Sequence, residues 1–399
     1  LSKELPVQVP ITRPWFDESD FEIVRKPLET GWVAQGPYVA EFERLMAAFT
    51  GTRYAVACTS ATTGLHLALA ALGIGPGDEV LVPAFTWLAT ANAVLYQGAT
   101  PVLCDIELST FNVDFADLEA KRTARTKAVM PVHLFGLPVD MAPLRAWAAT
   151  HELHVVEDAA CGLGSRIDGV HVGGLGACGV FSFHPRKAVT TGEGGMVVTN
   201  DETLATTLRS LRNHGGRMGA PKPGSSTPPF SMAEYAELGF NYRMTDLQGA
   251  LGVTQMAKAA RIRTLRDARA QRYHQALAGL AALRLPQVPA GVEHGWQSYV
   301  VLYQGADGLD VQDQAAVAQR CSERDALMLQ LAERGVQTRP GTHAVHALAL
   351  YRERFALTAA SCPNAWLAER LSIALPLFPT MTDAEQDYVV AALESALQG

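Results

Sequence analysis

Two residues of this chain are placed to do carbonyl chemistry. Lys187 follows the apolar run Gly179–Phe183 and precedes the glycine-rich turn TTGEGG, so it leaves the end of a core strand. The other lysines, Lys3, Lys26, Lys121, Lys127, Lys222 and Lys258, mostly lie in polar or helical surroundings that suit solvated side chains. An amine in a partly dry site titrates lower than in water, which is what a Schiff-base lysine and proton shuttle requires. Asp158 ends a second apolar run, VVEDAA, and ligands of α/β sheets bind beyond the carboxyl ends of strands. A buried carboxylate there needs a cationic or hydrogen-bonding partner. The ring nitrogen of pyridoxal 5'-phosphate (PLP) is such a partner, and an ionised aspartate keeps that nitrogen protonated so that the ring accepts electrons. Taken singly, Asp158 also reads as a turn cap and Lys187 as a surface lysine. Their pairing points to PLP.

A phosphate-bearing cofactor needs an anion site as well. The run Cys58-Thr59-Ser60-Ala61-Thr62-Thr63-Gly64 precedes the helical LHLALAAL and offers hydroxyls and free amides at a helix N-terminus, although ordinary capping explains the same residues. Ser182, on the strand leading to Lys187, adds a hydroxyl on that side. Trp87, in VPAFTW, follows another strand end and suits either stacking on a pyridine ring or a place in the core.

These residues must be held by a sizeable scaffold. The chain has 399 residues, 48% of them hydrophobic, which suits two domains. Short β-branched runs alternate with helical stretches from about residue 54, the pattern of an α/β domain with a mainly parallel sheet. Strands are predicted near Tyr54–Ala57, Glu79–Pro83, Pro101–Cys104, Ala128–Val132, His154–Glu157, Gly179–Ser182 and Gly195–Thr199. Helices are predicted near Thr62–Leu72, Leu88–Tyr96, Ala142–Thr150 and Leu204–Asn213. Gly, Pro and Ser interrupt the rhythm over His214–Pro229, which reads as a long exposed loop. A long helix follows from Thr245 to about Leu280, then a strand at Ser298–Leu302, a helix at Ala326–Arg334 and strands near Val336–Arg339 and Ser372–Leu375. This last third reads as a smaller α+β domain. The formal net charge of −7, without a basic block, speaks against nucleic acid. The six cysteines show neither CxxC nor zinc spacing, so no metal is expected and they read as reduced and mostly buried. Leu1–Pro10 has no signal-peptide pattern and no eighteen-residue apolar run occurs, so a cytoplasmic protein without a membrane span is the expectation.

The chain resembles the DegT/StrS-type sugar aminotransferases, a branch of the fold-type-I PLP enzymes, over nearly its whole length. The likeness is carried by GWVAQGPYVAEFE (31–43), TSATTGLHLALAALGIGPGDEV (59–80), VPAFTWLATANAV (82–94), VHLFGLPVDM (132–141), VVEDAA (155–160), FSFHPRKAVTTGEGG (181–195) and LGFNYRMTDLQGALG (238–252). It implies a fold-type-I PLP transferase: a large PLP-binding domain over 1–255 with a seven-stranded, mainly parallel sheet between helices, and a small C-terminal α+β domain over 256–399. It also implies that Lys187 is the Schiff-base lysine, Asp158 pairs with the ring nitrogen and Trp87 stacks on the ring. Ser60, Ala61, Thr62 and Ser182 would hold the phosphate, and Asn241 would reach the phosphate of a neighbouring subunit, making a homodimer with shared active sites.

The resemblance further suggests L-glutamate as donor and a nucleotide-linked 4-keto-6-deoxy sugar as acceptor, as in perosamine synthases, with TTGEGG resembling members that aminate C4. His184, Arg243, Arg339 and His343 are the candidate substrate contacts, each with a structural role as its competitor. Two other readings stay open: a glutamine-dependent aminotransferase acting on a free keto-cyclitol, and a non-catalytic regulator on the same fold. One departure stands out. Cys161 occupies a position where many members carry Gln or His approaching the ring hydroxyl, and no catalytic role is assigned to it.

Overall fold

The computed structural model describes residues 8–217, 234–303 and 309–398. Seven strands form the central sheet, in the spatial order Tyr54–Cys58, Gly195–Thr199, Cys178–Ser182, His154–Asp158, Thr126–Val129, Glu79–Pro83 and Thr100–Cys104. The sheet is mainly parallel: only Gly195–Thr199 runs against its neighbours, Tyr54–Cys58 on one side and Cys178–Ser182 on the other. Six strands therefore deliver their carboxyl ends to one edge. Strands such as Glu79–Pro83 and Gly195–Thr199 are buried at every position, as expected where both faces of a sheet are covered.

Helices Ala61–Ala71, Ala89–Tyr96, Met141–Thr150 and Glu202–Arg212 occupy the predicted places within one or two residues at each end. Gly64 lets the first of them lie close on the sheet, since a Cβ there would meet Val180 Cγ1 at 2.7 Å. The helices Glu18–Thr30 and Pro37–Thr50 were not anticipated. Each ends on a left-handed glycine, Gly31 and Gly51, both with φ of 72°. Both pack on the helix Asp246–Leu277. The buried Asp246 carboxylate accepts hydrogen bonds from the amides of Gly36 (3.0 Å) and Val39 (2.9 Å), so a residue from one helix caps the N-terminus of another.

The C-terminal third is the smaller α+β unit. Leu283–Arg284, Tyr299–Tyr303 and Ser372–Leu375 form an antiparallel sheet, accompanied by helices Gln314–Glu333, Pro363–Leu371 and Asp383–Gln398. The helix predicted at Ala326–Arg334 thus begins twelve residues earlier, at Gln314 behind its Asp313 cap. Val336–Arg339 is not a strand: it makes only single bridges, Val336 to Val9 and Arg339 to Ala374. Asp246–Leu277 passes position 255 unbroken, with Met256, Ala259 and Ile262 in the core beside the large sheet and Ala270, Tyr273 and Leu277 in the core of the smaller unit. Most of the predicted loop over His214–Pro229 lies outside the described residues. At its base Gly216–Arg217 pairs antiparallel with Glu234–Tyr235. No helix among the described residues is long and apolar enough to cross a membrane.

Candidate active site

Asp158 closes its strand in register with Val180 of the neighbouring strand, whose continuation carries Ser182 and Lys187. Lys187 is fixed at its backbone by an amide hydrogen bond to the His184 carbonyl (2.8 Å). The two candidate residues therefore leave adjacent parallel strands at the same edge. The Asp158 carboxylate is buried, accepts the Thr90 hydroxyl at 2.8 Å and the Ala160 amide at 3.1 Å, and has no cationic partner in contact among the described residues. Burial pushes this carboxyl above the ordinary aspartate range, while Thr90, Ala160 and the charge of Lys187 oppose that rise. A protonated ring nitrogen would supply the counter-charge the carboxylate lacks. The Lys187 amine makes no ion pair among the described residues and donates to Cys161 Sγ at 3.1 Å. An amine without an ion pair among the described residues, on the strand next to a buried carboxylate, fits an aldehyde-bearing pyridine.

The anion cradle lies on the same edge. Ser60 caps the helix Ala61–Ala71 through a capping box with Thr63: its hydroxyl accepts the Thr63 amide (3.2 Å), and its own amide donates to the Thr63 hydroxyl (3.0 Å). Gly195 pairs with Cys58 on one side and Ser182 on the other. A Cβ at Gly195 would overlap the backbone of Ser60 and Ala61, so only glycine lets this strand pass beneath the helix N-terminus. Ser60, Ala61, Thr62 and Ser182 are thereby gathered around one helix end where the amide dipoles favour phosphate.

Trp87 follows the short strand Phe85–Thr86, which pairs with His343–Ala344 from the smaller unit. Its indole is 54% exposed, with the His343 ring 5.6 Å away, so an aromatic face stands open beside the cleft. His343 Nδ1 also lies 3.4 Å from Glu369. Burial pushes the Arg339 guanidinium down, as does the charge of Arg186, so these two cations feel one another. His184 accepts the Arg186 amide at Nδ1 (3.2 Å), and burial lowers its imidazole. Asn241 is exposed, touches Asn213 only through a backbone bridge, and makes no side-chain hydrogen bond among the described residues. Arg243 instead donates to Asn213 Oδ1 at 2.7 Å.

Two supporting features escaped the sequence. Thr90, the partner of Asp158, carries no signal beyond its place in TWLAT. Beside Asp158, the wholly buried His133 and Glu157 form a pair, with Nε2 2.9 Å from Oε2 and Nδ1 accepting the Val139 amide at 3.1 Å. Burial raises the Glu157 carboxyl, but His133 and the amides of Gly173 and Gly176 outweigh it and hold it below the ordinary range. This locks the carboxyl end of the Asp158 strand. Among the described residues no group of His, Cys, Asp and Glu is arranged to hold a metal.

A mixed sheet of this order, with a buried aspartate and an unpaired lysine amine at neighbouring strand ends above a helix N-terminus, defines the class: an α/β transferase built for PLP. The family follows directly. The model of the DegT/DnrJ/EryC1/StrS aminotransferase family matches residues 14–394, and the chain belongs to that family. It is similar to DesV of S. venezuelae, solved in complex with a ketimine intermediate, at 32% identity over 99% of both chains with a TM-score of 0.85. The aminotransferase from Psychrobacter cryohalolentis is 30% identical over 96% of this chain and 97% of its own, with a TM-score of 0.88. The putative sugar aminotransferase Spr1654 from Streptococcus pneumoniae, in its PLP form, is 27% identical over 98% of both chains, with a TM-score of 0.87. The protein is a PLP-dependent aminotransferase.

Proposed function

We propose that this aminotransferase moves an amino group from L-glutamate to a keto-sugar, with a nucleotide-linked 4-keto-6-deoxy sugar as acceptor, and that Lys187 and Asp158 carry the chemistry. The observation that supports this most is the pair itself: a buried carboxylate and a lysine amine on adjacent strands, neither in an ion pair among the described residues. Bound PLP supplies an aldehyde for Lys187 and a ring that takes up the electrons of the donor's Cα–H bond. Asp158 keeps the ring nitrogen protonated. The Lys187 amine would be the group that takes and returns the proton at the donor's α-carbon, and the same amine would serve the acceptor half of the reaction. Ser60, Ala61, Thr62 and Ser182 hold the phosphate, and Trp87 covers one ring face.

Asn241 completes the phosphate site of a second copy in a homodimer, which its exposed and unpartnered amide supports. The open apolar side chains of Phe21, Leu28, Trp32, Tyr96 and Leu238 suit burial against that copy. His184, Arg339 and His343 line the acceptor's approach, where two guanidinium groups without ion pairs among the described residues, Arg186 and Arg339, favour a diphosphate. Arg243 contributes from the partner side. TTGEGG favours amination at C4. The test converts the enzyme to its pyridoxamine form and offers keto-sugar nucleotides and a free keto-cyclitol. A 4-keto-6-deoxy sugar nucleotide should restore the PLP spectrum; restoration by the cyclitol alone would overturn the acceptor, and replacement of glutamate by glutamine as sole donor would overturn the donor.

A further inference from the structure

Cys161 differs from the other thiols of the chain in what surrounds it. Cys58, Cys104, Cys178 and Cys362 are buried, and burial pushes each thiol up, to about 12 for Cys58, Cys178 and Cys362. Cys321 is half-buried on a helix beside Asp325. Cys161 is half-buried at the strand-end edge, and its sulfur accepts the Lys187 amine at 3.1 Å.

The turn that presents it is rigid. The Ala160 amide donates to Asp158 Oδ1 (3.1 Å), the Ala159 amide to the Glu157 carbonyl (3.0 Å), and the Gly162 amide to the Ala159 carbonyl (2.8 Å). Beneath it, a Cβ on Gly162 would press on Val172 Cγ2 at 2.9 Å, so the turn lies directly on the core. Asp158 and Cys161 are thus two side chains of one fixed turn, and the amine of Lys187 feels both, one as a charge and the other as a hydrogen-bond acceptor. A lysine stem has four flexible carbons, and its last hydrogen bond decides where the amine sits. For Lys187 that bond goes to sulfur.

We propose that Cys161 is a positioning residue for Lys187: before the cofactor is bound, its sulfur accepts a hydrogen bond from the amine and keeps it beside Asp158, where the cofactor aldehyde arrives. The inference rests on Lys187 being the lysine that takes PLP. In the step it serves, the amine nitrogen attacks the aldehyde carbon, a C=N bond replaces C=O, and one water leaves with the aldehyde oxygen and two protons. Cys161 loses its amine partner in that step and does not itself react.

The test measures cofactor capture, not turnover. Cofactor-free enzyme is mixed with PLP, and the growth of the yellow band is followed by stopped flow. Cys161→Ala, which removes the acceptor, should capture PLP about fivefold more slowly, the scale of one hydrogen bond. Cys161→Ser, whose hydroxyl accepts the same bond, should stay within about twofold of the unaltered protein. The position is half-buried, and melting curves of both cofactor-free variants establish that they are folded. Capture by Cys161→Ala at the unaltered rate overturns the proposal, as does equal slowing in the folded Cys161→Ser protein. Lys187→Ala separates the two claims: a yellow band that persists there refutes the role of the lysine, whereas a band that vanishes there but forms at full rate in Cys161→Ala refutes only the positioning.

Discussion

At Asp158 two demands oppose each other. The strand end must be dry for the ring to act as an electron sink, yet a dry carboxylate resists ionisation, and burial pushes this one up. Thr90 and the Ala160 amide offset part of that cost, and a pyridinium nitrogen would offset the rest. Asp158→Asn should therefore retain the fold while kcat falls roughly 10²–10³-fold, the scale of one lost electrostatic stabiliser; steady-state kinetics beside a melting curve checks both parts. Glu157 poses the opposite case. Its folded value is lowered, so its contribution to stability is present above the unfolded carboxylate range and is lost as pH falls through the folded value. Glu157→Gln should cost about 3 kcal/mol at neutral pH, because an amide cannot accept from His133 and three backbone amides together. Its melting temperature should also fall less steeply on acidification than that of the unaltered protein. The placement of Lys187 and Asp158 at adjacent strand ends was legible in the sequence because each follows a short apolar run. Thr90 and the bond from Lys187 to Cys161 were not, since each depends on segments brought together only by the fold.

The strands of the large sheet were legible for a simple reason: buried on both faces, they read as short continuous apolar runs bounded by turns. Glu18–Thr30 and Pro37–Thr50 lacked such contrast, and their packing partner, Asp246–Leu277, lies two hundred residues away. Val336–Arg339 failed in the other direction: its pattern suits a strand, but its neighbours meet it at single positions. The element on which the proposed phosphate site rests is the junction of Gly195 with the capped helix Ala61–Ala71. Gly195→Ala forces two backbones apart and should destabilise the protein by about 2 kcal/mol. Because the displaced atoms belong to Ser60 and Ala61, the same variant should weaken PLP binding, whereas an alanine in the open turn at Gly75 should leave it unchanged. Equilibrium titration of the two cofactor-free variants distinguishes them.

At the scale of the molecule, a shared active site makes a prediction that no single chain can satisfy. If Asn241 serves the neighbouring copy, Lys187→Ala and Asn241→Ala proteins are each impaired, but a hybrid dimer carries both lesions in one site and none in the other. Co-refolding equal amounts should restore about a quarter of normal activity, since half the dimers are hybrids with one intact site each. No recovery would place Asn241 in its own subunit's site. The two units of the chain share the helix Asp246–Leu277, and Val9 bridges to Val336 in the core of the smaller unit. The proposed cofactor residues come from the regular sheet edge, whereas the proposed acceptor contacts come from a single bridge at Arg339 and a two-residue strand at His343, which leave no periodic pattern in the sequence.

Everything above turns on Lys187. Reduction of the PLP-loaded protein with borohydride, followed by digestion and mass spectrometry, should find the pyridoxyl mass on Lys187 and the yellow colour bleached. A pyridoxyl group on any other lysine, or a colour that resists borohydride, would contradict the account.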